Sequence, residues 1–254
     1  MKRYSIDLNC DMGESFGNYA IGNDDRILPY ITSCNVACGF HGGDPVQIEK
    51  TIKKALAYGV QIGAHPGYPD LQGFGRRRMQ IPVDELRAIV KYQIAAVKGI
   101  TESLGGKLSY VKPHGALYNT AADESVVAQA IALAIREVSE EIALMGLAGS
   151  LTMKEAANAH NLRFIAEAFA DRRYTINGRL QSRSVEGAVI HDPQSASNQV
   201  ISIVKHKGVE SNNNTFIELK AQSICIHGDN PKVETILMAI DKELEIHNIK
   251  KECF

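Results

Sequence analysis

The chain reads as an α/β protein, a closed or nearly closed β/α barrel of seven parallel strands. Three observations predict it. Seven short apolar runs, at residues 4–9, 31–36, 60–65, 108–114, 141–147, 162–168 and 223–227, alternate with helical patterns. Strands alternating with helices imply parallel strands with right-handed crossovers, and seven such units in 254 residues suit a barrel better than an open sheet. Ionisable residues gather where the runs end, while the opposite loops look bland, as expected when one barrel end carries a site. No eighth run of equal quality is present, so the ring is expected to lack the eighth strand of the common form.

The first run leads into Asp7-Leu8-Asn9-Cys10-Asp11-Met12-Gly13-Glu14. Side chains on a strand alternate faces, so Asp7 and Asn9 point one way and Leu8 the other. A turn at Gly13 lets Glu14 swing back over the strand end. After the second run, Asp44-Pro45 is a cap followed by proline at the first helical position; Ile48, Ile52, Ala55 and Leu56 form the apolar face and Gly59 stops the helix. A longer helix follows Pro82, with Leu86, Ile89, Val90, Ile94, Val97 and Leu104, and ends at Gly105-Gly106. The next runs from about Asp123 to Val138. A short one starts at the cap Ser150 and ends near Asn161, another covers 195–207, and the last begins at Asn230-Pro231. Residues 174–190 break the rhythm; Asn177-Gly178 has hairpin-turn chemistry, so a hairpin inserted after the sixth strand is expected. No linker or composition shift divides residues 1–254, which are read as one domain.

Composition narrows the class. Hydrophobic residues at 44% and charged residues at 22% are ordinary for a soluble globular chain. A net charge of −1 with no basic stripe argues against a nucleic-acid partner. The segment 1–5 enters a strand-like run without the apolar region of a signal peptide, and no stretch is long and apolar enough for a membrane span. The five cysteines lack paired spacing, and Cys10, Cys34, Cys38 and Cys225 sit in or beside apolar runs. Reduced, buried thiols of a cytoplasmic protein are expected.

The strand ends carry the chemistry. The first offers Asp7, Asn9, Asp11 and Glu14. The second offers Asn35, Cys38 and His41, the last among glycines that let backbone approach a ligand closely. The third offers His65 before Pro66, which serves a loop carbonyl as well as it serves a site. The fourth offers Lys112 and His114, two apart and so on one face. The fifth, residues 146–150, has no charge. The sixth offers Glu167, Asp171, Arg172 and Arg173, and the seventh His227 and Asp229. Simpler roles compete. Cys38-x-x-His41 is half a zinc spacing without a second cysteine pair, so a buried thiol is the better reading. Lys112 is expected to pair with Asp7 or Glu167 and to be functional at once. Asp171 can pair with Arg172 or Arg173, and Asp229 is best read as a cap for the last helix. His160, His206 and His247 fall on helices and are read as surface.

Convergent carboxylates repel, so at least one should have a raised pKa and serve as acid or base. Lysine and imidazole stabilise an oxyanion or bind a carboxylate. Together they point to hydrolysis or proton transfer on a small polar molecule. No G-x-S-x-G elbow occurs, Gly13-x-x-x-Gly17 lacks dinucleotide spacing, and Gly105-Gly106-Lys107 lacks the rest of a phosphate loop. Strand-end polar groups are expected to contribute little to core stability.

Seven blocks carry a resemblance. They are Asp7-Leu8-Asn9-Cys10-Asp11-Met12-Gly13-Glu14-Ser15-Phe16-Gly17, Ser33-Cys34-Asn35-Val36-Ala37-Cys38-Gly39-Phe40-His41-Gly42-Gly43-Asp44, Gly63-Ala64-His65-Pro66-Gly67-Tyr68-Pro69-Asp70, Gly73-Phe74-Gly75-Arg76-Arg77, Val111-Lys112-Pro113-His114-Gly115-Ala116-Leu117-Tyr118-Asn119, Glu167-Ala168-Phe169-Ala170-Asp171-Arg172-Arg173-Tyr174 and Ile226-His227-Gly228-Asp229. Spanning nearly the whole chain, they resemble the LamB/YcsF family, the A subunits of bacterial 5-oxoprolinases. The resemblance implies an irregular seven-stranded β/α barrel akin to the polysaccharide deacetylase and glycoside hydrolase–deacetylase superfamily. It also implies ATP-dependent opening of 5-oxo-L-proline to L-glutamate with two partner subunits, which are expected to supply ATP and Mg²⁺. On this reading Asp7, Asp11, Glu14, Lys112 and His114 are the catalytic candidates, one of the carboxylates acting as base. Asn9, Asn35, His41, His65, Glu167, Asp171, Arg172 and His227 are the candidate substrate contacts.

Two rivals stand beside it. One is a metal-dependent deacetylase or amidohydrolase with Asp7, His41, His65 or His114 around a divalent ion, against which Lys112 counts as a cation beside a cation. The other is a non-catalytic carbohydrate or small-acid binding module, disfavoured by many titratable groups and few aromatics.

Overall fold

The computed structural model describes residues 3–254; Met1 and Lys2, part of the stretch read as lacking a leader, lie outside the described residues. The first strand, β1 (Tyr4–Met12), runs further than its apolar start suggests and carries the acids within it. A short helix, α1 (Asp24–Ile27), and a 3-10 turn (Leu28–Tyr30) lead to β2 (Ser33–Ala37). The Asp44 carboxylate accepts the N–H groups of Val46 and Gln47 and so caps α2 (Pro45–Ala57). Then come β3 (Gln61–His65), α3 (Val83–Ser103) and β4 (Leu108–Val111). The helix expected from about Asp123 is preceded by another, so the pair is α4 (Gly115–Asp123) and α5 (Ser125–Val138). Ala116, Leu117, Tyr118, Thr120, Ala121 and Ala122 of α4 are all buried, so it lacks the one-sided period by which a helix is recognised in sequence. Next are β5 (Ala143–Leu147), α6 (Leu151–Ala159), capped by the Ser150 hydroxyl, and β6 (Phe164–Phe169).

Residues 172–190 keep the expected turn but form no strand ladder. Gly178 donates to the Thr175 carbonyl at φ +71°, flanked by the isolated bridges Tyr174–Leu180 and Arg172–Val189, and Tyr174 also bridges to Ser211. Helix α7 (Pro193–Ile201) gives way to a π turn (Ser202–His206), which ends at Lys207 in the left-handed region. A hairpin of β7 (Gly208–Glu210) and β8 (Phe216–Glu218) follows; strands of three residues are too short to show alternation in sequence. The chain ends through β9 (Ser223–Ile226), α8 (Val233–Ile246) and β10 (Ile249–Lys251).

The ring runs β1-β2-β3-β4-β5-β6-β9, and β9 pairs back on β1 with Asp7 opposite Ser223 and Cys10 opposite Ile226. All seven pairings are parallel, the closed barrel the sequence predicts. Strand β10 pairs only with the first residues of β1, Tyr4 to Ile6. Glu252 donates to the Ile6 carbonyl on the edge from which Leu8 accepts Thr32, so β10 lies below the start of β2 and outside the ring. Among the described residues no helix is long and apolar enough to cross a membrane.

Alternation along β1 sends Leu8, Cys10 and Met12 outward into the main apolar core beneath the helices. Asp7, Asn9 and Asp11 point inward, where Asn9 reaches Glu167 at 3.0 Å across the barrel. The interior is therefore polar above and apolar below. Its lower end holds Tyr110, Ala143, Met145 and Ile165, with the Phe254 ring 5.3 Å from that of Tyr110. Tyr110 lies over Gly63 of β3, and its hydroxyl donates to Asn35 Oδ1 at 2.8 Å.

A methyl group at Gly63 would fall within the Tyr110 ring. Gly63→Ala is expected to cost about 1–3 kcal/mol by overpacking, read as a lower urea midpoint with an unchanged slope. A wild-type midpoint would show that the ring moves aside freely.

Candidate active site

Tautomer, charge and hydrogen bonding inside the barrel follow from which strand supplies each side chain and how deep it lies. Asp7 is the deepest acid. Its carboxylate accepts the hydroxyls of Thr32 and Ser33, each at 2.6 Å, and that of Ser223. Burial raises its pKa and the three hydroxyls oppose the rise. Four residues of strand, about 13 Å at 3.3 Å each, separate it from Asp11. The expectation that Asp7 sits at the mouth as base or metal ligand is therefore corrected: it is a satisfied polar group of the barrel floor. The physical reason is strand length. The apolar run ends at residue 9, whereas β1 continues to Met12.

One layer up, Lys112 stands at the centre, 2% exposed. Its ammonium lies 2.9 Å from Asp11 Oδ1 and 2.9 Å from Glu167 Oε1, with Asn9 Oδ1 at 3.3 Å and Cys225 Sγ at 3.0 Å. Burial alone would lower its pKa, but Asp11, Cys225 and Glu167 outweigh that and hold it well above the usual lysine range. Of the two acids expected to pair with it, Glu167 does and Asp7 does not, and Asp11 is the second partner. Glu167 also accepts Tyr118 Oη at 2.8 Å, and Asn35 donates to Asp11 Oδ1 and Asn9 Oδ1, each at 2.7 Å. These strand-end groups are buried, so removing one partner would leave a charge unpaired in the interior.

Above and beside Lys112 lie three imidazoles and two carboxylates. Burial would raise Asp11, but His65 and Lys112 hold it well below the usual carboxylate range, so it stays ionised and is a poor proton acceptor. Glu14 goes the other way, pushed well up by burial and by Asp11. His65 Nδ1 meets the Lys112 carbonyl at 2.7 Å, and its Nε2 lies 3.3 Å from Asp11 Oδ2. His114 Nε2 meets the Phe74 carbonyl at 2.8 Å, and its Nδ1 lies 3.0 Å from His65 Nε2. His41 stacks flat on His114 with centroids 3.6 Å apart, and its Nε2 is 3.3 Å from Glu14 Oε1. Burial, then neighbouring imidazole charge, holds both His41 and His114 well below the usual histidine range. This packing requires Gly75: at φ +62° its Cβ would strike His41 and His114.

The far wall belongs to β6 and β9. Asp171 accepts His227 Nδ1–H at 2.8 Å, the His227 backbone N–H at 3.3 Å and Asn230 Nδ2 at 3.4 Å. It pairs with neither Arg172 nor Arg173. His227 stacks on Phe169, with centroids 5.3 Å apart. Asp229 pairs with Arg76 and, at 3.8 Å, with Arg183. It does not cap α8, which starts at Val233 after Asn230 has accepted Lys232 N–H.

These groups surround a cavity of about 390 Å³ at the carboxyl ends of the strands. Of the expected residues, Asp11, Glu14, His65, Lys112, His114, Arg172 and His227 line it. Asn9, Asn35 and Glu167 form the layer beneath, His41 lies behind His114, and Asp171 lies behind His227. Arg76, Tyr118, Phe169, Arg183 and Asp229 also line the cavity, where the sequence predicts no site role for them. Arg76 and Tyr118 lie in blocks that carry the family resemblance, which is the one signal that marks them. Arg183 sits in the 172–190 segment, whose fold over the mouth has no sequence signature. Chemically, the cavity offers a buried ammonium, several guanidinium groups, and an imidazole whose Nδ1 is occupied by Asp171, leaving Nε2 as its free nitrogen.

Comparison with known proteins agrees with this architecture. A sequence model of the LamB/YcsF family matches residues 6–254. A protein of Acinetobacter baumannii, named as the A subunit of 5-oxoprolinase, is 51% identical over 245 residues, 96% of each chain. The crystal structure of a lactam utilization protein from Thermus thermophilus is 40% identical, covers 98% of this chain and all of its own, and superposes with a TM-score of 0.93. The polysaccharide deacetylase Bc1974 of Bacillus cereus is 12% identical, with coverage of 99% and 92% and a TM-score of 0.50, a likeness of fold alone.

Two outcomes follow from the charges. Lys112→Met leaves Asp11 and Glu167 buried without their cation and is expected to cost about 3–5 kcal/mol. In a Glu167→Gln background the cost should fall, with a coupling of about 0.5–3 kcal/mol in a urea double-mutant cycle; strictly additive midpoints would contradict the bridge. For Asp171, burial would raise the pKa, but the charge and hydrogen bond of His227, with Asn230, hold it below the ordinary 3.8. A depressed carboxylate stabilises the fold above its unfolded pKa and loses that contribution as pH falls through the folded value. Asp171→Asn should therefore flatten the stability profile below about pH 4, measured by denaturation at stepped pH.

Proposed function

The chain belongs to the LamB/YcsF family, and on that premise we propose that it is the lactam-binding component of a cytoplasmic, multi-subunit 5-oxoprolinase, a hydrolase that opens 5-oxo-L-proline to L-glutamate with ATP. The observation that carries the proposal is the cavity: small, cationic at its rim, with a buried lysine at its floor and an oriented imidazole on its wall. The relatives' printed name supplies the substrate class.

A lactam acid presents one carboxylate and one amide. The guanidinium groups of Arg172, Arg76 and Arg183 suit the carboxylate, since arginine binds it in a planar, paired geometry. Lys112, kept charged by Asp11 and Glu167, suits the lactam oxygen, where negative charge builds as water adds to the carbonyl carbon. His227 is placed to take a proton from that water through its free Nε2, because Asp171 holds Nδ1–H and fixes the tautomer. Opening the ring breaks the C–N bond, and the departing nitrogen takes the proton that His227 accepted from the water. Asp11, held ionised, serves Lys112 as counter-ion and is not assigned the base.

ATP and Mg²⁺ belong to this proposal as contributions of two partner subunits. The stretch Gly105-Gly106-Lys107 does not serve as a phosphate loop: it follows helix α3 as its stop, and Lys107 pairs with Glu141 at the surface. The isolated chain is expected to bind 5-oxoproline weakly and to hydrolyse neither it nor ATP at a useful rate. Glutamate release with ATP and Mg²⁺, with and without the partners, is the test. Within the reconstituted enzyme, His227→Gln should lower turnover by about 10²–10⁴-fold while circular dichroism is unchanged. Full turnover by the single chain, or wild-type turnover of the variant, would overturn the assignment.

A further inference from the structure

Two imidazoles in the cavity, when neutral, face each other with two acceptor nitrogens. His65 Nδ1 meets the Lys112 carbonyl at 2.7 Å and His114 Nε2 meets the Phe74 carbonyl at 2.8 Å. A carbonyl only accepts, so both of those nitrogens carry the proton. In neutral rings, His65 Nε2 and His114 Nδ1 then each present a lone pair, and they stand 3.0 Å apart. Two lone pairs at that distance repel unless a proton or a metal ion lies between them. Glu14 Oε1 is 3.5 Å from the same His114 Nδ1, and Asp11 Oδ2 is 3.3 Å from the same His65 Nε2. All four side chains are buried, yet each lines the cavity.

From this geometry we propose that His65 Nε2, His114 Nδ1 and Glu14 form a three-ligand site for a divalent transition-metal ion, with its open side toward the cavity. The ligand atoms lie within 4.8 Å of one another, and spacings of 3.0–3.5 Å between neighbours are those of ligands about 2.0–2.2 Å from one ion. Two imidazoles and a carboxylate suit zinc or a neighbouring first-row ion rather than Mg²⁺ or Ca²⁺. The outer shell is in place: two carbonyls fix the tautomers, and His41 Nε2 at 3.3 Å holds the Glu14 carboxylate while its Nδ1 has no partner. Lys112 is no obstacle, because Asp11 and Glu167 neutralise it and Asp11 turns its other oxygen toward His65. Asp7 has no place in the site. Such an ion would supply Lewis acidity to an oxygen bound in the cavity.

The test reads metal, so it is independent of the substrate assigned above. Tag-free chain is stripped with chelator, reloaded with Zn²⁺, desalted and assayed for zinc by mass spectrometry, with melting curves confirming that each variant folds. The expected result is about one zinc per chain, with a visible d–d spectrum on Co²⁺ substitution. His114→Ala, or Glu14→Gln if that variant fails to fold, should lose the stoichiometric zinc and the cobalt spectrum. His41→Ala should weaken affinity about 10–100-fold as an outer partner, and the remote His160→Ala should change nothing. A folded wild-type chain that retains no zinc, or a folded His114→Ala chain with wild-type zinc and cobalt spectrum, would overturn the site.

Discussion

A single buried ammonium sets the interior of this barrel. Lys112 rises from the end of β4 between Asp11 of β1 and Glu167 of β6, 2.9 Å from each. A lysine taken out of water is costly unless its partners are close and hydrogen-bonded in turn. Here they are: Asn35 steadies Asp11, while Asn9 and Tyr118 steady Glu167. These side chains come from β1, β2, β4, α4 and β6, so the network forms only when the ring has closed in its native register. A slip of one residue on any of these strands would turn its inward set outward and strand the charge.

That constraint explains why the apolar core lies outside the ring. Burial of aliphatic surface takes place between the barrel and its helices, where Leu8, Val36, Ile62, Val111 and Ile224 meet the helical faces. The inside is apolar only at the lower end, around Tyr110, Met145, Ile165 and Phe254. Above that plug every strand but β5 contributes a polar or ionisable inward side chain. The division lets the fold carry a charged interior without relying on it for most of its hydrophobic stabilisation.

Environment then separates groups that are alike in sequence. Asp7 and Asp11 lie on the same strand face. Three hydroxyls and no cation leave burial dominant at Asp7 and its pKa raised, whereas His65 and Lys112 hold Asp11 well down. Glu14, three residues beyond Asp11, is pushed up by burial and by Asp11 itself. His227 is oriented by Asp171, while His65 and His114 are oriented by backbone carbonyls. Carboxylates and imidazoles thus divide into structural, orienting and ligand-facing members by contacts made from other strands.

Much of this is legible in the chain. Apolar runs and helical periods are local, so the seven strands, their parallel ring and most helices can be read directly, as can the gathering of ionisable groups at one barrel end. Helix α4 escapes because most of it is buried and only Asn119 and Asp123 face out, too narrow a polar stripe to mark a period, and β7 and β8 because they are too short to alternate visibly. Depth along a strand, partner and tautomer are properties of several strands at once. Hence local pattern puts Asp7 at the mouth, offers Lys112 an acid it does not meet, and makes a cap of Asp229. Sequence by itself determined which residue types meet at the carboxyl ends, because alternation and strand order leave few ways to arrange them. Only the tertiary structure decided which carboxylate stays ionised, which imidazole nitrogen is free, and which side chains face the cavity. Those depend on distances of a few ångströms between residues more than a hundred positions apart, such as Asn9 and Glu167.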